Sequence, residues 1–166
     1  MASHVLYFLA SAAPPVLHVE EGIRRAQHRG WTVCLGLTPT AASWLDDRLA
    51  PLAQLTGNPV RVSYPRPGDA DVWDPADATL LAPATFNTVN HWAQGLTSTL
   101  VVGLAAEAIG SGSPLSTITC VNRPLSRHPQ FARSVGALRG AGVTVVEGLR
   151  VEGGFPWESG LDGLAG

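Results

Sequence analysis

An apolar run leads directly into a polar turn in Ala78-Thr-Leu-Leu-Ala-Pro-Ala-Thr-Phe-Asn-Thr88, and this succession indicates the fold class. Ala78–Ala82 is apolar apart from Thr79, as is typical of a parallel β-strand that is covered on both faces. The turn Pro83–Thr88 follows, and Val89–Ile109 then carries apolar residues at helical spacing. We therefore predict a buried strand, a polar turn and a long, largely buried helix.

Strand and helix patterns alternate along the rest of the chain. Further strands are predicted at His4–Ala10, Trp31–Leu37, Gly57–Tyr64, Leu115–Val121 and Val143–Glu147. Helices are predicted from Pro14 up to Gly30, from Thr38 or Thr40 towards Leu55, and over Pro129–Arg139. This alternation is typical of an α/β fold, a three-layer Rossmann-like (flavodoxin-like) parallel sheet with helices on both faces. We expect a single domain over 1–166, in which the Gly-rich residues 148–166 form a surface tail.

The composition excludes several classes of function. The chain has 166 residues, contains no lysine and has a net charge of −2, which argues against nucleic-acid binding. No apolar run is long enough to span a membrane and no signal peptide is recognisable, so we expect a cytoplasmic protein. Charged residues make up 14%, which indicates either a surface covered by another subunit or simply an Ala- and Gly-rich chain. Cys34 and Cys120 lie inside predicted strands, where we expect buried structural thiols and no metal site.

Ligands of such sheets bind beyond the carboxyl ends of the strands, where the strand order reverses. With the usual connectivity, this point lies between the loops Ala10–Pro15 and Pro83–Thr88. Ala10, Ser11 and Ala12 are small residues before a helix, so a phosphate could approach the backbone there. The dinucleotide motif G-x-G-x-x-G is absent, and a plain tight turn is the alternative interpretation.

Hydroxyl and amide side chains follow the neighbouring strands. Thr38 and Thr40 leave the second strand, and Thr85, Asn87 and Thr88 follow Ala78–Ala82. Polar groups in an otherwise apolar site suit a flat heteroaromatic ring with hydrogen-bonding edges. The same residues could instead cap helices, and both roles can hold together.

The segment from Pro83 to Leu100 resembles the P-A-S-A-N-T segment of the flavin-containing cysteine decarboxylases and the helix that follows it. This family includes phosphopantothenoylcysteine decarboxylases and the decarboxylases that oxidise C-terminal cysteines of lantibiotic peptides. The resemblance covers roughly residues 4–147, and the matching positions are Pro83, Ala84, Asn87, Thr88, Asn90, Ala93, Gly95 and Leu100. It implies FMN as cofactor and assembly into homo-oligomers, either trimers or dodecamers.

The resemblance also implies roles for individual residues. The loop at Ala10, Ser11 and Ala12 would hold the FMN phosphate, and Thr38, with Thr40 nearby, would contribute hydroxyls from the second strand. The loop with Ala84, Thr85, Phe86, Asn87 and Thr88 would contact the flavin ring. Asn122 matches the Asn that binds the substrate carboxylate in the P-x-M-N-x-x-M-W motif of the family, most of which is missing here.

Two departures from the family pattern limit the functional prediction. Asp69, in the Pro- and Asp-rich loop Pro65–Asp77, stands where the family has its catalytic His. A buried carboxylate can act as a base, whereas a solvated loop position is the alternative. Phe86 replaces a small Ala and is expected to crowd the flavin face.

Three functions are consistent with these observations. The first is an FMN-dependent redox enzyme, decarboxylase-like, that acts on a small thiol- or carboxylate-bearing substrate or on a peptide. The second is an FMN-binding regulatory or partner subunit that lacks the catalytic His. The third is a degenerate domain that has lost FMN, which Phe86 and the absent glycines of the first loop would favour.

Overall fold

The computed structural model describes residues 3–149 and 154–165, which form a five-stranded, all-parallel sheet with the strand order β2-β1-β3-β4-β5. The strands are β1 (His4–Ala10), β2 (Trp31–Leu37), β3 (Ala78–Ala84), β4 (Leu115–Val121) and β5 (Thr144–Leu149). Every residue of β3 and β4 is buried, as expected for the centre of a sheet covered on both faces. The strand order reverses between β1 and β3, as predicted.

Helices cover both faces of the sheet. They are α1 (Val19–His28), α2 (Pro39–Trp44), α3 (Leu49–Thr56), α4 (Phe86–Gln94), α5 (Leu100–Ser111), α6 (Arg123–Ser126), α7 (Pro129–Gly140) and α8 (Trp157–Asp162). One hydrophobic core joins the sheet to α1, α3 and α8, and a second core joins it to α4, α5 and α7. The predicted three-layer α/β fold is therefore confirmed. Within the described residues, no helix has the length and apolar character needed to cross a membrane.

The long helix predicted over Val89–Ile109 is wrong, because the chain forms two helices there. Gly95 ends α4 in the left-handed conformation, with φ of 73°, which glycine adopts without a steric penalty. The Thr99 hydroxyl then accepts a hydrogen bond from the Val102 N–H at 3.3 Å and caps α5. The helix-ending Gly95 and the helix-capping Thr99 thus divide a segment whose apolar residues alone predict one continuous helix.

Two other predicted elements are also interrupted. Gly57–Tyr64 is no regular strand: Arg61 alone forms a parallel bridge, to Gly36 at the outer edge of β2. The predicted helix from Thr38 towards Leu55 divides into α2, a short 3₁₀ turn and α3. Pro51 explains this division, because a residue without a backbone N–H fits the first turn of a helix but not its interior.

The Pro- and Asp-rich loop Pro65–Asp77 is irregular, as predicted, and Trp73 holds it against the sheet. Trp73 is 5% exposed, and its Nε1–H donates to the carbonyl of Pro59 at 2.8 Å. The Arg61 guanidinium lies 4.8 Å from the centre of the same ring. Cys34 packs in this cluster, and burial raises the pKa of its thiol to about 11, so it remains protonated at neutral pH.

The expectation of a surface tail over 148–166 needs correction. Gly148 belongs to β5, and α8 docks into the core through Trp157, which is 2% exposed and packs on Phe8. Glu158 of α8 forms ion pairs with Arg25 of α1 and with Arg29, which directly follows α1, and these pairs hold the pKa of its carboxyl below the usual value. The chain end is therefore part of the layer that covers one face of the sheet.

Gly22 of α1 provides a test of this docking. A Cβ built on Gly22 would lie 2.7 Å from the Trp157 ring and 2.8 Å from Phe8, both of which are enclosed in the core. The helix propensity of alanine contributes about 1 kcal/mol in its favour, whereas overpacking costs about 1–3 kcal/mol. We expect Gly22→Ala to lower the free energy of unfolding measured in urea.

The matched control is Gly136→Ala in α7, where a Cβ meets nothing within 4 Å. This variant should be as stable as the wild type or more so, because it gains helix propensity without a clash. Equal stability of the two variants would contradict the close packing of α1 on α8.

Candidate functional site

The candidate site lies at the carboxyl ends of β1, β2 and β3, where the strand order reverses. The loop after β1 and the turn after β3 meet there, as predicted. Thr38, at the end of β2, joins them, since its backbone N–H donates to the carbonyl of Ala10 at 3.0 Å. The parallel register of β1 with β2 thus extends into the loops that form the site.

Ser11 connects two of these loops. Its hydroxyl donates to the carbonyl of Pro83 at 2.8 Å and accepts from the N–H of Thr85 at 2.9 Å, while its own N–H donates to the same Pro83 carbonyl at 3.0 Å. Ser11 is 2% exposed. Its hydroxyl is therefore engaged in joining the two loops.

Three threonine hydroxyls cap the helices that begin at the site. Thr38 accepts from the N–H of Ala41, Thr85 from that of Thr88, and Thr99 from that of Val102. Thr38 and Thr85 are therefore helix caps that also line the cleft, and their contact with a ligand stays a prediction. Capping leaves the other N–H groups of the first helical turns of α4 and α5 near the cleft.

The cleft has a polar part of about 430 Å³, which is within the range of small-molecule sites. It is lined by Ser11, Ala12, Thr38, Pro39, Thr40, Thr85, Asn87, Thr88, His91, Ser98, Thr99 and Val102. Most of these residues carry a hydroxyl or amide group, and none of those lining residues is an Asp, Glu, Lys or Arg. Such a donor set suits an anion or a polyhydroxylated chain.

An apolar part of about 360 Å³ adjoins the polar part and shares Ala12, Thr85 and Asn87 with it. Its other lining residues are Ala13, Pro14, Trp44, Phe86, Cys120, Val121, Asn122 and Leu125. Trp44 is 46% exposed at the rim, and Cys120, 8% exposed, is the thiol that lies in this wall. The two parts together form a cleft with one polar end and one end suited to a flat ring.

Phe86 forms a side wall of the apolar part. Its ring centre lies 5.6 Å from that of His128 and 6.5 Å from that of Phe131, both at the start of α7. The Phe86 ring therefore packs against α7, and the expected crowding of the flavin face stays a prediction.

Asn122 stands at the opposite wall, at the end of β4. Its Oδ1 accepts the N–H of Leu125 at 2.9 Å and caps α6. With the oxygen engaged, the amide N–H groups remain as donors at an exposed position beside the cleft.

The remaining predicted residues lie elsewhere. Ala10 and Ala84 are fully buried at the ends of their strands and line neither part of the cleft. Asp69 lines a separate groove with Arg61 and Tyr64, and its carboxylate accepts the N–H of Arg66 at 2.9 Å. The role of Asp69 as a base stays a prediction.

Sequence reasoning assigned no site role to Ser98, Thr99 and Trp44. For His91, at a Lys-like position of the family, it left two alternatives, a surface or subunit-interface residue and a flavin-proximal residue. All four line the cleft. The hydroxyl run Thr97-Ser-Thr99 after Gly95 was the available signal, since it marks a new helix start at the same sheet edge.

The chain matches a protein family and a curated relative. The model of the Flavoprotein family matches residues 3–160. A curated cysteine/cysteine sulfinic acid decarboxylase from an unknown prokaryotic organism is 29% identical over 104 residues, which are 58% of this chain and 28% of that protein. The matched region therefore spans little more than a quarter of that relative.

Three solved structures share the fold. MrsD from Bacillus sp. HIL-Y85/54728 superposes with a TM-score of 0.75 at 16% identity, over 98% of this chain and 94% of that one. The FMN-dependent cysteine decarboxylase TvaF from thioviridamide biosynthesis gives 0.74 at 18%, over 99% and 100% of the two chains. The cypemycin decarboxylase CypD gives 0.74 at 21%, over 96% and 90%.

The role of Ser11 as a positioning residue can be tested by removing its hydroxyl. Ser11→Ala leaves the Thr85 N–H without its acceptor, which should lower the free energy of unfolding by about 1–3 kcal/mol. Thr40→Ala is the control, because this hydroxyl lines the same cleft at an exposed position, and its loss should cost less than about 0.5 kcal/mol. Equal small losses in urea unfolding would contradict the role of Ser11.

Proposed function

We propose, from the premise that this chain belongs to the Flavoprotein family, that it binds FMN in the two-part cleft. The observation that carries the proposal is the division of the cleft into a polar part free of carboxylates and an adjoining apolar part. FMN combines a phosphate and a hydroxylated chain with a flat ring, so its two ends match the two parts. The residues present therefore fit the cofactor.

The polar part would hold the phosphate and the ribityl chain. Hydroxyl groups and the N-terminal N–H groups of α4 and α5 are the donors there. Thr85 and Asn87, which line both parts, would contact the ring edge, and Phe86 and Val121 would flank the ring. Ser11 holds the loops that carry these groups.

We further propose that the protein is a decarboxylase-like redox enzyme acting on a small substrate or peptide that bears a thiol and a carboxylate. FMN supplies two-electron oxidation when bound. The amide N–H groups of Asn122 would bind the substrate carboxylate beside the apolar part. TvaF and CypD, which share the fold, are both described as decarboxylases.

A specific observation favours a second function, FMN binding without decarboxylation. Asp69 lines a groove separate from the cleft, and the lining residues of the cleft include no carboxylate that could serve as a base. Decarboxylation would then need a base other than a lining carboxylate, for instance one from another copy of the chain in a homo-oligomer. Size-exclusion chromatography with light scattering tests that assembly, and a trimer or dodecamer is the expected result.

Flavin retention tests the cofactor. We expect the purified protein, after incubation with FMN and desalting, to keep the flavin absorbance bands at close to one flavin per chain. Absence of bound flavin under excess FMN would overturn both proposed functions. Anaerobic addition of N-acetylcysteine or of a peptide with a C-terminal cysteine should bleach the bands and release CO2, whereas retained FMN without bleaching would favour the second function.

Asn122→Asp tests carboxylate binding separately from folding. Aspartate caps a helix as well as asparagine does, so the melting temperature and FMN retention should stay unchanged. The variant loses the amide donors and adds a negative charge, so we expect the KM for a carboxylate-bearing substrate to rise at least about tenfold. Asn122→Ala, which loses the cap as well, should also lower the melting temperature. An unchanged KM in Asn122→Asp would exclude this role.

A further inference from the structure

His91 occupies a distinctive position in the polar part of the cleft. It lies on α4, one turn after Asn87 and Thr88, and this spacing places the three side chains on one face of the helix. All three line the polar part. The His91 side chain is half-buried and makes no hydrogen bond to another side chain or backbone group among the described residues, so its ring nitrogens are available to a ligand.

Among the described residues that line the polar part, no other side chain is ionisable. Its remaining lining residues are Ser, Thr, Asn, Ala, Pro and Val. The charged and titratable groups on the elements packed against α4 are Glu107 of α5, Cys120 of β4, His128 at the start of α7, and Arg133 and Arg139 of α7. Glu107 lines a different groove and Cys120 the apolar part. His128 caps α7, Arg139 pairs with Glu147, and none of them lines the polar part.

A doubly charged phosphate in this part would therefore contact hydroxyl and amide groups and the N-terminal ends of α4 and α5. His91 would be the one group there that is able to carry a full positive charge. Histidine is the side chain that gains its charge between pH 5 and 8. A hydrogen bond from a charged donor to a phosphate is roughly twice as strong as a neutral one. The protonation of this one ring would thus change the phosphate affinity without affecting the rest of the cleft.

We propose that His91 is the pH-dependent phosphate ligand of this cleft, so that the protein prefers FMN to riboflavin most strongly when the imidazole is protonated. This inference rests on the proposed FMN binding. It adds a determinant of specificity between two flavins that differ only in the phosphate.

The test is titration of the apoprotein with FMN and with riboflavin, followed by flavin fluorescence, at pH 6.0 and pH 8.5. In the wild type, the preference for FMN, given by the ratio of the two dissociation constants, should fall about tenfold as the pH rises. In His91→Gln, which hydrogen-bonds but never carries a charge, the preference should be about tenfold lower at pH 6.0 and should not fall further at pH 8.5. Riboflavin affinity should be equal in both proteins.

The phosphate itself becomes more negative above about pH 6, which also changes its affinity. The His91→Lys variant separates this effect from the protonation of the side chain. Its charge persists at pH 8.5, so its preference for FMN should stay constant or rise with pH, opposite in direction to the wild type. Gln94→Lys is the matched control, because it adds the same charge at an exposed position at the end of α4, outside the lining residues. It should behave as the wild type.

The outcomes distinguish this inference from the proposed function. Loss of FMN and riboflavin affinity together in His91→Gln would show a structural role and overturn the proposal. A wild-type preference for FMN that does not change with pH would overturn it as well. A wild-type protein that binds neither FMN nor riboflavin would instead overturn the proposed FMN binding itself. The riboflavin titration separates this outcome from a failure that concerns only the phosphate.

Discussion

One buried hydroxyl, that of Ser11, joins the two loops on which the cleft depends. It donates to the Pro83 carbonyl and accepts from the Thr85 N–H, so the exit of β1 and the exit of β3 are fixed relative to each other. Because β1 and β3 flank the reversal of strand order, this contact spans the crevice that an α/β sheet opens there. Thr85 is held in turn, and it caps α4. This contact therefore holds the first residue before α4 beside the cleft.

The second constraint is the break between α4 and α5. A single helix over residues 89–109 would have continued past the cleft and placed Ser98 and Thr99 in its interior. The left-handed Gly95 and the capping Thr99 instead start a new helix at the cleft, and its N-terminal N–H groups lie near the polar part. The chain thereby brings a second helix dipole to the polar part without adding a charged residue. The same break leaves His91 close to the end of α4, within that part.

The sequence predicted the sheet well because strand signals here are local. The bounds predicted for β1, β2 and β4 agree with the structure, and the loops with Ser11 and Thr85 meet as the reversal rule requires. The tail could not be predicted, because the burial of Trp157 depends on the space above Gly22 and Phe8, more than a hundred residues away in the chain. For the same reason, neither Trp44 nor His91 was assigned to the cleft: each lies on a helix whose orientation depends on packing. Asp69 was predicted as a site residue because it aligns with a family motif. The position of its loop in the structure depends on the docking of Trp73 against the sheet.

The proposed phosphate site would bind negative charge mainly with neutral groups. A buried cation would have to be desolvated, and it would need a partner when the ligand is absent. Hydroxyls, an Asn amide and helix N–H groups carry a smaller desolvation cost and remain oriented by the fold, as the caps at Thr85 and Thr99 show. Asn122, which caps α6, would act in the same way at the apolar end. Its Oδ1 accepts the N–H of Leu125, so its amide N–H groups remain as donors for an anion. The chain has no lysine, and none of its described arginines lines either part of the cleft, so His91 is the one described lining residue whose side chain could carry a positive charge there.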